Sequence, residues 1–292
     1  MTGKRLHILA TGPQATLQDS GRRGHMAVGV GRAGAADQAA YALGARLLGN
    51  SRRSAAIEVT FGGLHVRAEG ELLVCLTGAV TSAEVDGVPV GPAAPFSLAD
   101  GSELKLGMPA SGLRTYLSVR GGIGVDPVLG SRAMDTMSGL GPAPIQVGDA
   151  LPIGQAPPAM PHVDVAPIAS PIDGLVVLRV SPGPRSAWFE DPEALARTPW
   201  TVSDRSDRRG IRLVGEPLAR RPEARDQELP SEGMVRGAIQ VPPNGEPVVF
   251  LNDHPVTGGY PVIGVVDAAD VDLAAQLVPG QPVRFRWVPA YW

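Results

Sequence analysis

Lysine is nearly missing from this chain. Its 292 residues include two, Lys4 and Lys105, against twenty-four arginines. No Gly-Lys-Ser/Thr phosphate loop can exist, which excludes that mode of nucleotide binding. Any phosphate or carboxylate must be met by arginine or by backbone N–H groups. Cysteine is scarcer still. Cys75 stands alone in the apolar run 72–76, so no disulfide can form within the chain, and a reducing compartment is expected. With nothing polar beside it in sequence, Cys75 reads as a small buried hydrophobe. Long apolar runs are absent, and so is an apolar N-terminal segment. The expectation is a soluble, cytoplasmic protein with no membrane partner. Positive charge is not clustered and the net charge is −3, so nucleic acid is not an expected partner.

Aromatics are few, at 4%, while glycine (37) and proline (29) are plentiful. Combined with many short Val/Leu/Ile runs, this composition predicts a turn-rich, mainly β protein rather than a helix bundle. The length suits one large or two medium domains.

Taken in order, the chain opens with a strand at Leu6–Leu9, followed by glycine-containing loops, 16–24 and 29–37. Asp37 is placed to cap a helix, Gln38–Leu48, which stops at Gly49-Asn50. Glu58 follows in the apolar run 56–60. A carboxylate there must either face outward or be paired, because burying it alone is costly. Six short strands are expected between Leu64 and Val119, punctuated by turn signals such as Asp86-Gly87 and Asp100-Gly101. Residues 152–172 are rich in proline and alanine and read as a linker. They divide an N-terminal lobe, 1–151, from a C-terminal lobe, 173–292. In the second lobe, Asp191-Pro192-Glu193 signals a helix start, and 203–213 carries Arg205, Arg208, Arg209 and Arg212 around Gly210. Those arginines could clamp an anion or pair with neighbouring aspartates. Residues 267–277 and Pro279-Gly280 lead into a last strand, Pro282–Val288. Nowhere do His, Cys, Asp and Glu fall at metal-ligand spacing.

The densest pattern spans 228–264. Two strand-like runs, Val235–Val241 and Pro247–Leu251, flank Pro-Pro-Asn-Gly, which predicts a hairpin. Pro230-Ser231-Glu232-Gly233 precedes the first run, and 252–260 follows the second. A hairpin brings its outer ends together, so Glu228, Ser231 and Glu232 are expected near Asp253, Thr257, Gly258, Gly259 and Tyr260.

These stretches resemble a known family, the biotin-dependent carboxyltransferase-like proteins, which includes allophanate hydrolase subunit 2 and the C subunit of 5-oxoprolinase. The likeness rests on Glu228, Pro230–Gly233, Gly237–Pro243 with Gly245, and Asp253 with Thr257–Pro261. It extends to the opening Thr-Leu-Gln-Asp-Ser-Gly-Arg-Arg-Gly (16–24), to Ile57-Glu58 with Gly62-Gly63, and to Ser203–Leu213. The resemblance implies a cyclophilin-like antiparallel β-barrel architecture in two lobes, with short helices capping the mouths. It implies catalytic roles for Asp19, Glu228, Ser231, Glu232, Asp253, Thr257 and Tyr260. Substrate or phosphate binding would fall to Gln18, Arg22, Arg205, Arg209, Arg212, Gln240, Gly258 and Gly259. Asp37, Glu58, Arg132 and His254 form a second rank. Asp37 reads equally as a helix cap, Arg132 as a loop arginine and His254 as a loop bystander.

The activity implied is that of the C subunit of an ATP-dependent 5-oxoprolinase, which opens 5-oxo-L-proline to L-glutamate together with B-like and A-like subunits, using ATP and Mg²⁺. Two alternatives stay open. One is carboxyl transfer in urea/allophanate chemistry from carboxybiotin carried by another chain, since no Met-Lys-Met attachment site is present. The other is a regulator without catalysis that binds a kinase inhibitor. Prolyl isomerisation, suggested by the barrel alone, is set aside because fold does not carry function.

Overall fold

The computed structural model describes residues 3–168, 171–225 and 227–289. They divide into two compact units, residues 1–23 with 33–171 and residues 24–32 with 172–292.

The first unit is built on one curled sheet. Its strands are β1 (Arg5–Thr11), β2 (Gln14–Gln18), β3 (Ala56–Thr60), β4 (Leu64–Glu69), β5 (Leu72–Val85), β6 (Val88–Pro89), β7 (Phe96–Leu98), β8 (Glu103–Val119) and β9 (Ala150–Pro152). They run in the order β2-β3-β8-β4-β1-β9, with β5 also paired to β8 and carrying β6 and β7. Alternation sets the inner face. Leu6 and Ile8 of β1 and Leu64, Val66 and Ala68 of β4 are buried, while the residues between them are at least part-exposed. Helix α1 (Gln38–Leu47) is capped by Asp37, whose carboxylate accepts from Ala40 N at 2.9 Å. It packs so closely on the sheet that a Cβ at Gly44 would come within 2.6 Å of Ser118 Oγ.

Two expectations change here. Leu72–Leu76 and Ala83–Val85 are one 14-residue strand, and Leu104–Leu106 and Thr115–Val119 belong to one 17-residue strand. The intervening glycines do not end the strands. Register shifts between Gly78 and Ala83 absorb the extra residues as bulges, with Gly78 at φ 94°. The proline-rich stretch is likewise no free tether. Arg120 Nη2 donates to the carbonyls of Pro157 and Ala159, and Ala166 N donates to Ala93 O at 2.9 Å. Ala166 and Ile168 pack against Leu47, Leu48 and Cys75. Residues 152–168 therefore belong to the first unit, and the break falls between Pro171 and Ile172. Residues 169 and 170 lie outside the described residues.

The second unit is a closed barrel. In chain order it contains β10 (Val176–Pro182), α2 (Ala194–Arg197), β11 (Trp200–Val202), β12 (Gly210–Val214), α3 (Pro222–Arg225), β13 (Glu232–Gly233), β14 (Ala238–Gln240), β15 (Val248–Phe250), β16 (Thr257–Gly258), β17 (Val262–Val266), α4 (Ala268–Ala274) and β18 (Pro282–Trp287). The barrel order is β10-β17-β14-β15-β12-β11-β18. All neighbours are antiparallel except β10 and β18, whose parallel pairing closes the ring. Ile211, Ile239 and Val249 face inward with no exposure. Their neighbours Arg212, Gln240 and Val248 form one cross-strand row on the outer face. The predicted hairpin is present as β14 and β15, with Gly245 N closing the turn onto Pro242 O at 3.0 Å. Asp267 caps α4. Among the described residues no helix is long and apolar enough to cross a membrane.

Candidate functional site

The strongest sequence pattern folds into a ribbon lying on the barrel. Strands β13 and β16 pair Glu232 with Gly258 and Gly233 with Thr257, and Met234 N donates to Val256 O. Met234 packs beneath with Ala238, Phe250 and Val262. Glycine at 258 has a steric cause. A Cβ there would lie 2.6 Å from Gln240 Nε2 and 3.3 Å from Met234, so a side chain at 258 would push the Gln240 amide aside. Gln240 ties the ribbon down by donating to Tyr260 O at 3.1 Å. Ser231, Thr257, Gly259 and Tyr260 remain exposed around it, as does Glu228 upstream.

Glu232 is held by an arginine that no sequence motif singles out. Arg185 follows β10, and both its Nε (3.1 Å) and Nη2 donate to Glu232 Oε1. The guanidinium also lies over the Trp188 ring, 5.5 Å from its centroid. The one local signal is the run Pro182-Gly183-Pro184-Arg185, which reads as an ordinary turn.

The arginine-rich segment splits. Arg208 turns inward and grips Asp253 with Nε to Oδ2 at 2.9 Å and Nη2 to Oδ1 at 3.1 Å, both side chains essentially unexposed. Asp253 thus engages Arg208 with both carboxylate oxygens in a buried ion pair. Beside it, His254 is buried rather than exposed, stacked on Phe250 at 5.8 Å with Nδ1 2.8 Å from Pro255 O. Arg209 is exposed, 3.8 Å from Asp207. Arg212 ends the outer row Gln240–Val248–Arg212. At about 4.8 Å per strand it stands about 10 Å from Gln240. With Arg205 it lines a cleft of about 200 Å³ that also contains Glu246.

In the first unit, the candidates tie loops together. Asp19 accepts from Gly21 N (2.7 Å), Ser131 Oγ (2.6 Å) and Arg132 N (2.7 Å). Arg132 itself donates from Nε to Val125 O. Gln18 Nε2 and Arg22 Nη2 donate to the adjacent carbonyls of Met134 and Ala133. Gln18 Oε1 and Arg22 Nε and Nη1 are buried without a protein hydrogen bond, so this corner offers one acceptor and two donors to a water or ligand group. Glu58 is inward and paired. Its Oε2 accepts from Ala36 N (2.9 Å) and Tyr116 OH (2.8 Å), with Arg114 Nε 3.6 Å from Oε1. Tyr116 OH in turn accepts from Asp37 N at 2.8 Å, so this cluster sets the start of α1. Burial, and next the charges of Glu58 and Asp37, push the Tyr116 phenol well above its ordinary pKa. Burial pushes the Cys75 thiol up to about 12, which keeps it protonated and inert at neutral pH.

Among the described residues, no three of His, Cys, Asp and Glu come together as a cation site.

Comparison with known proteins gives the family and the fold. A protein of Escherichia coli K12, named as the C subunit of 5-oxoprolinase, is 37% identical over 285 residues, covering 96% of this chain and 90% of that protein. The Haemophilus influenzae protein of the same name is 32% identical, covering 97% and 91%. Urea amidolyase of Lachancea kluyveri is 30% identical, but this chain spans only 16% of its length. Among solved structures, that of TTHA0988 superposes with a TM-score of 0.89 at 30% identity, covering 98% of this chain and 56% of that one. The urea amidolyase of K. lactis gives 0.88 at 27%, covering 96% and 18%. The family described as carboxyltransferase domain, subdomain A and B, matches residues 28–287. With that match spanning the barrel and most of the curled sheet, the chain belongs to the carboxyltransferase domain, subdomain A and B, family.

Proposed function

We propose that this chain is the C subunit of an ATP-dependent 5-oxoprolinase, working with B-like and A-like subunits to open 5-oxo-L-proline to L-glutamate. One observation carries the reading. The two relatives named as 5-oxoprolinase C subunits are matched over 90% and 91% of their own length, whereas the urea amidolyase of Lachancea kluyveri is matched over 16% of its length. A lactam carbonyl is a poor electrophile. Phosphorylating its oxygen with ATP, with ADP leaving, makes a better one; water then adds and the ring C–N bond breaks to leave an acyl phosphate, which a second water splits to the carboxylate and inorganic phosphate. In this scheme the present chain supplies positioning and charge. The Gly258-Gly259 amides and Arg185 serve as donors where negative charge develops. Glu232, with one oxygen held by Arg185, serves as an acceptor. Asp19 and Asp253 act by holding loops rather than by touching substrate. Nucleotide and Mg²⁺ are held outside this chain, or jointly with a partner, consistent with its lack of a phosphate loop and, among the described residues, of a carboxylate cluster.

A second reading is carboxyl transfer from carboxybiotin borne by another chain. The family description and the urea amidolyase likeness support it. ADP release by the chain assembled with its B-like and A-like partners separates the two. The 5-oxoprolinase reading expects release that requires both 5-oxoproline and this chain, and that falls at least about tenfold with Glu232→Gln. Release indifferent to 5-oxoproline in an intact complex would move the assignment to carboxyl transfer.

A further inference from the structure

We infer that the cleft beside the signature ribbon is a binding site for a small amino dicarboxylate, with Arg205 and Arg212 taking its two carboxylates and Glu246 its ammonium. The cleft lies on the outer face of the barrel, where the cross-strand row emerges from beneath the ribbon. Its walls are rigid. Prolines of the hairpin turn form one side, and Val248 and Leu213 contribute apolar surface. The opposite wall is pinned at the backbone. Arg212 N donates to Ser206 Oγ at 3.0 Å, Ser203 N to Arg212 O at 2.9 Å, and Arg205 N to Ser203 Oγ at 3.2 Å. The backbone at both arginines is therefore fixed, on neighbouring stretches, while the side chains reach the cleft from exposed positions.

Charge and size narrow the ligand. Arg205 is only loosely engaged, with Nη2 3.9 Å from Glu246 Oε2, and is largely exposed. Glu246 Oε2 accepts from Asn244 Nδ2 at 2.8 Å, which orients the carboxylate and leaves its other oxygen for a cation. Two arginines and one glutamate give the cleft a charge of about +1 at neutral pH. A lone phosphate or monocarboxylate would leave Glu246 facing an anion. An α-amino dicarboxylate carries one net negative charge and places an ammonium where Glu246 stands. At about 200 Å³ the cleft is below the ~300–1,000 Å³ usual for drug-sized ligands, which suits a small amino acid. This inference stands without the reading above. On that reading, the ligand is the open-chain product.

Titration calorimetry on the whole chain alone, at low salt and without ATP or partner subunits, tests it. L-glutamate, glutarate (which lacks the ammonium) and inorganic phosphate are the probes. L-glutamate should saturate one site, with glutarate and phosphate weaker by about tenfold, the worth of one charge-assisted contact. Arg212→Gln should weaken L-glutamate by at least about tenfold, and Glu246→Gln should abolish the preference over glutarate. Arg197→Gln, an exposed change outside the cleft, should leave binding untouched. The inference is overturned by a lack of saturable L-glutamate binding, by binding that ignores Arg212→Gln, or by phosphate and glutarate matching L-glutamate. Because no turnover is measured, failure here leaves the 5-oxoprolinase reading standing, and failure of that reading leaves this result intact.

Discussion

Asp253 and Arg208 show what a single buried pair does for the signature. Each is inaccessible and each supplies two matched atoms to the other, so the loop after β15 is locked to the loop before β12. Replacing Asp253 with Asn leaves a guanidinium buried without its countercharge, and such a loss costs about 3–5 kcal/mol. Chemical denaturation should register that drop. The double replacement Arg208→Met with Asp253→Leu should recover most of it, since apolar residues of similar volume substitute well for buried ion pairs. If Asp253→Asn unfolded at the parent midpoint, the pair would be only an onlooker to stability. Sequence reading reaches Asp253 through its motif but takes Arg208 only as one of four arginines that could clamp an anion or pair with nearby aspartates. Among four neighbouring arginines in a polar stretch, nothing local says which one turns inward. That depends on where a carboxylate from forty-five residues away arrives.

At the scale of elements, helix α1 rests on its sheet through a glycine. Gly44 faces Ser118 Oγ and Thr77 Oγ1, at 2.6 and 3.2 Å from where a Cβ would stand. Gly44→Ala therefore trades a small gain in helix propensity for overpacking, with a net loss of about 1–3 kcal/mol. The Ser118 hydroxyl is buried without a hydrogen bond, so Ser118→Ala should be neutral or slightly stabilising. Combined, Gly44→Ala and Ser118→Ala should lose less than the sum of the two changes, because removing Oγ makes room for the new methyl. Strict additivity in thermal unfolding would show that the contact is not what sets the helix height. The helix itself was legible in sequence, since its Asp cap and Gly-Asn stop are local signals. Strands β5 and β8 were legible only in pieces, because glycines that end strands elsewhere are here absorbed as bulges by pairing with a long partner strand.

For the whole molecule, acid should weaken the barrel through Asp270. Burial opposes ionisation of this carboxyl, but hydrogen bonds from the Arg179 side chain and backbone outweigh it, and the net pKa lies below the usual carboxylate value. A depressed folded-state pKa means that the unfolded chain takes up the proton first. The stabilisation is therefore fully present above the ordinary aspartate pKa of about 4, and is lost as pH falls through the lower folded value. Asp270→Asn should lower stability at neutral pH and flatten its decline between about pH 5 and 2. An unchanged slope in that window would remove Asp270 from the acid response.

By itself the sequence determined the class and the parts. Scarce lysine, lone cysteine and abundant glycine and proline specify a turn-rich, disulfide-free β protein. Alternation selects the inner faces of the strands, and turn chemistry places the β14–β15 hairpin, because each of these is a matter of near neighbours along the chain. The signature motif marked the stretch that folds into the β13–β16 ribbon. Only tertiary structure decided what its charged residues do. Arg185 reaches Glu232 across forty-seven residues, Glu58 meets Tyr116 across fifty-eight, and Ser131 closes on Asp19 across a hundred and twelve. A charge cannot be buried unless its partner arrives with it. The roles of these groups therefore follow from how distant strands pair, a property of the sheet's register rather than of any one segment.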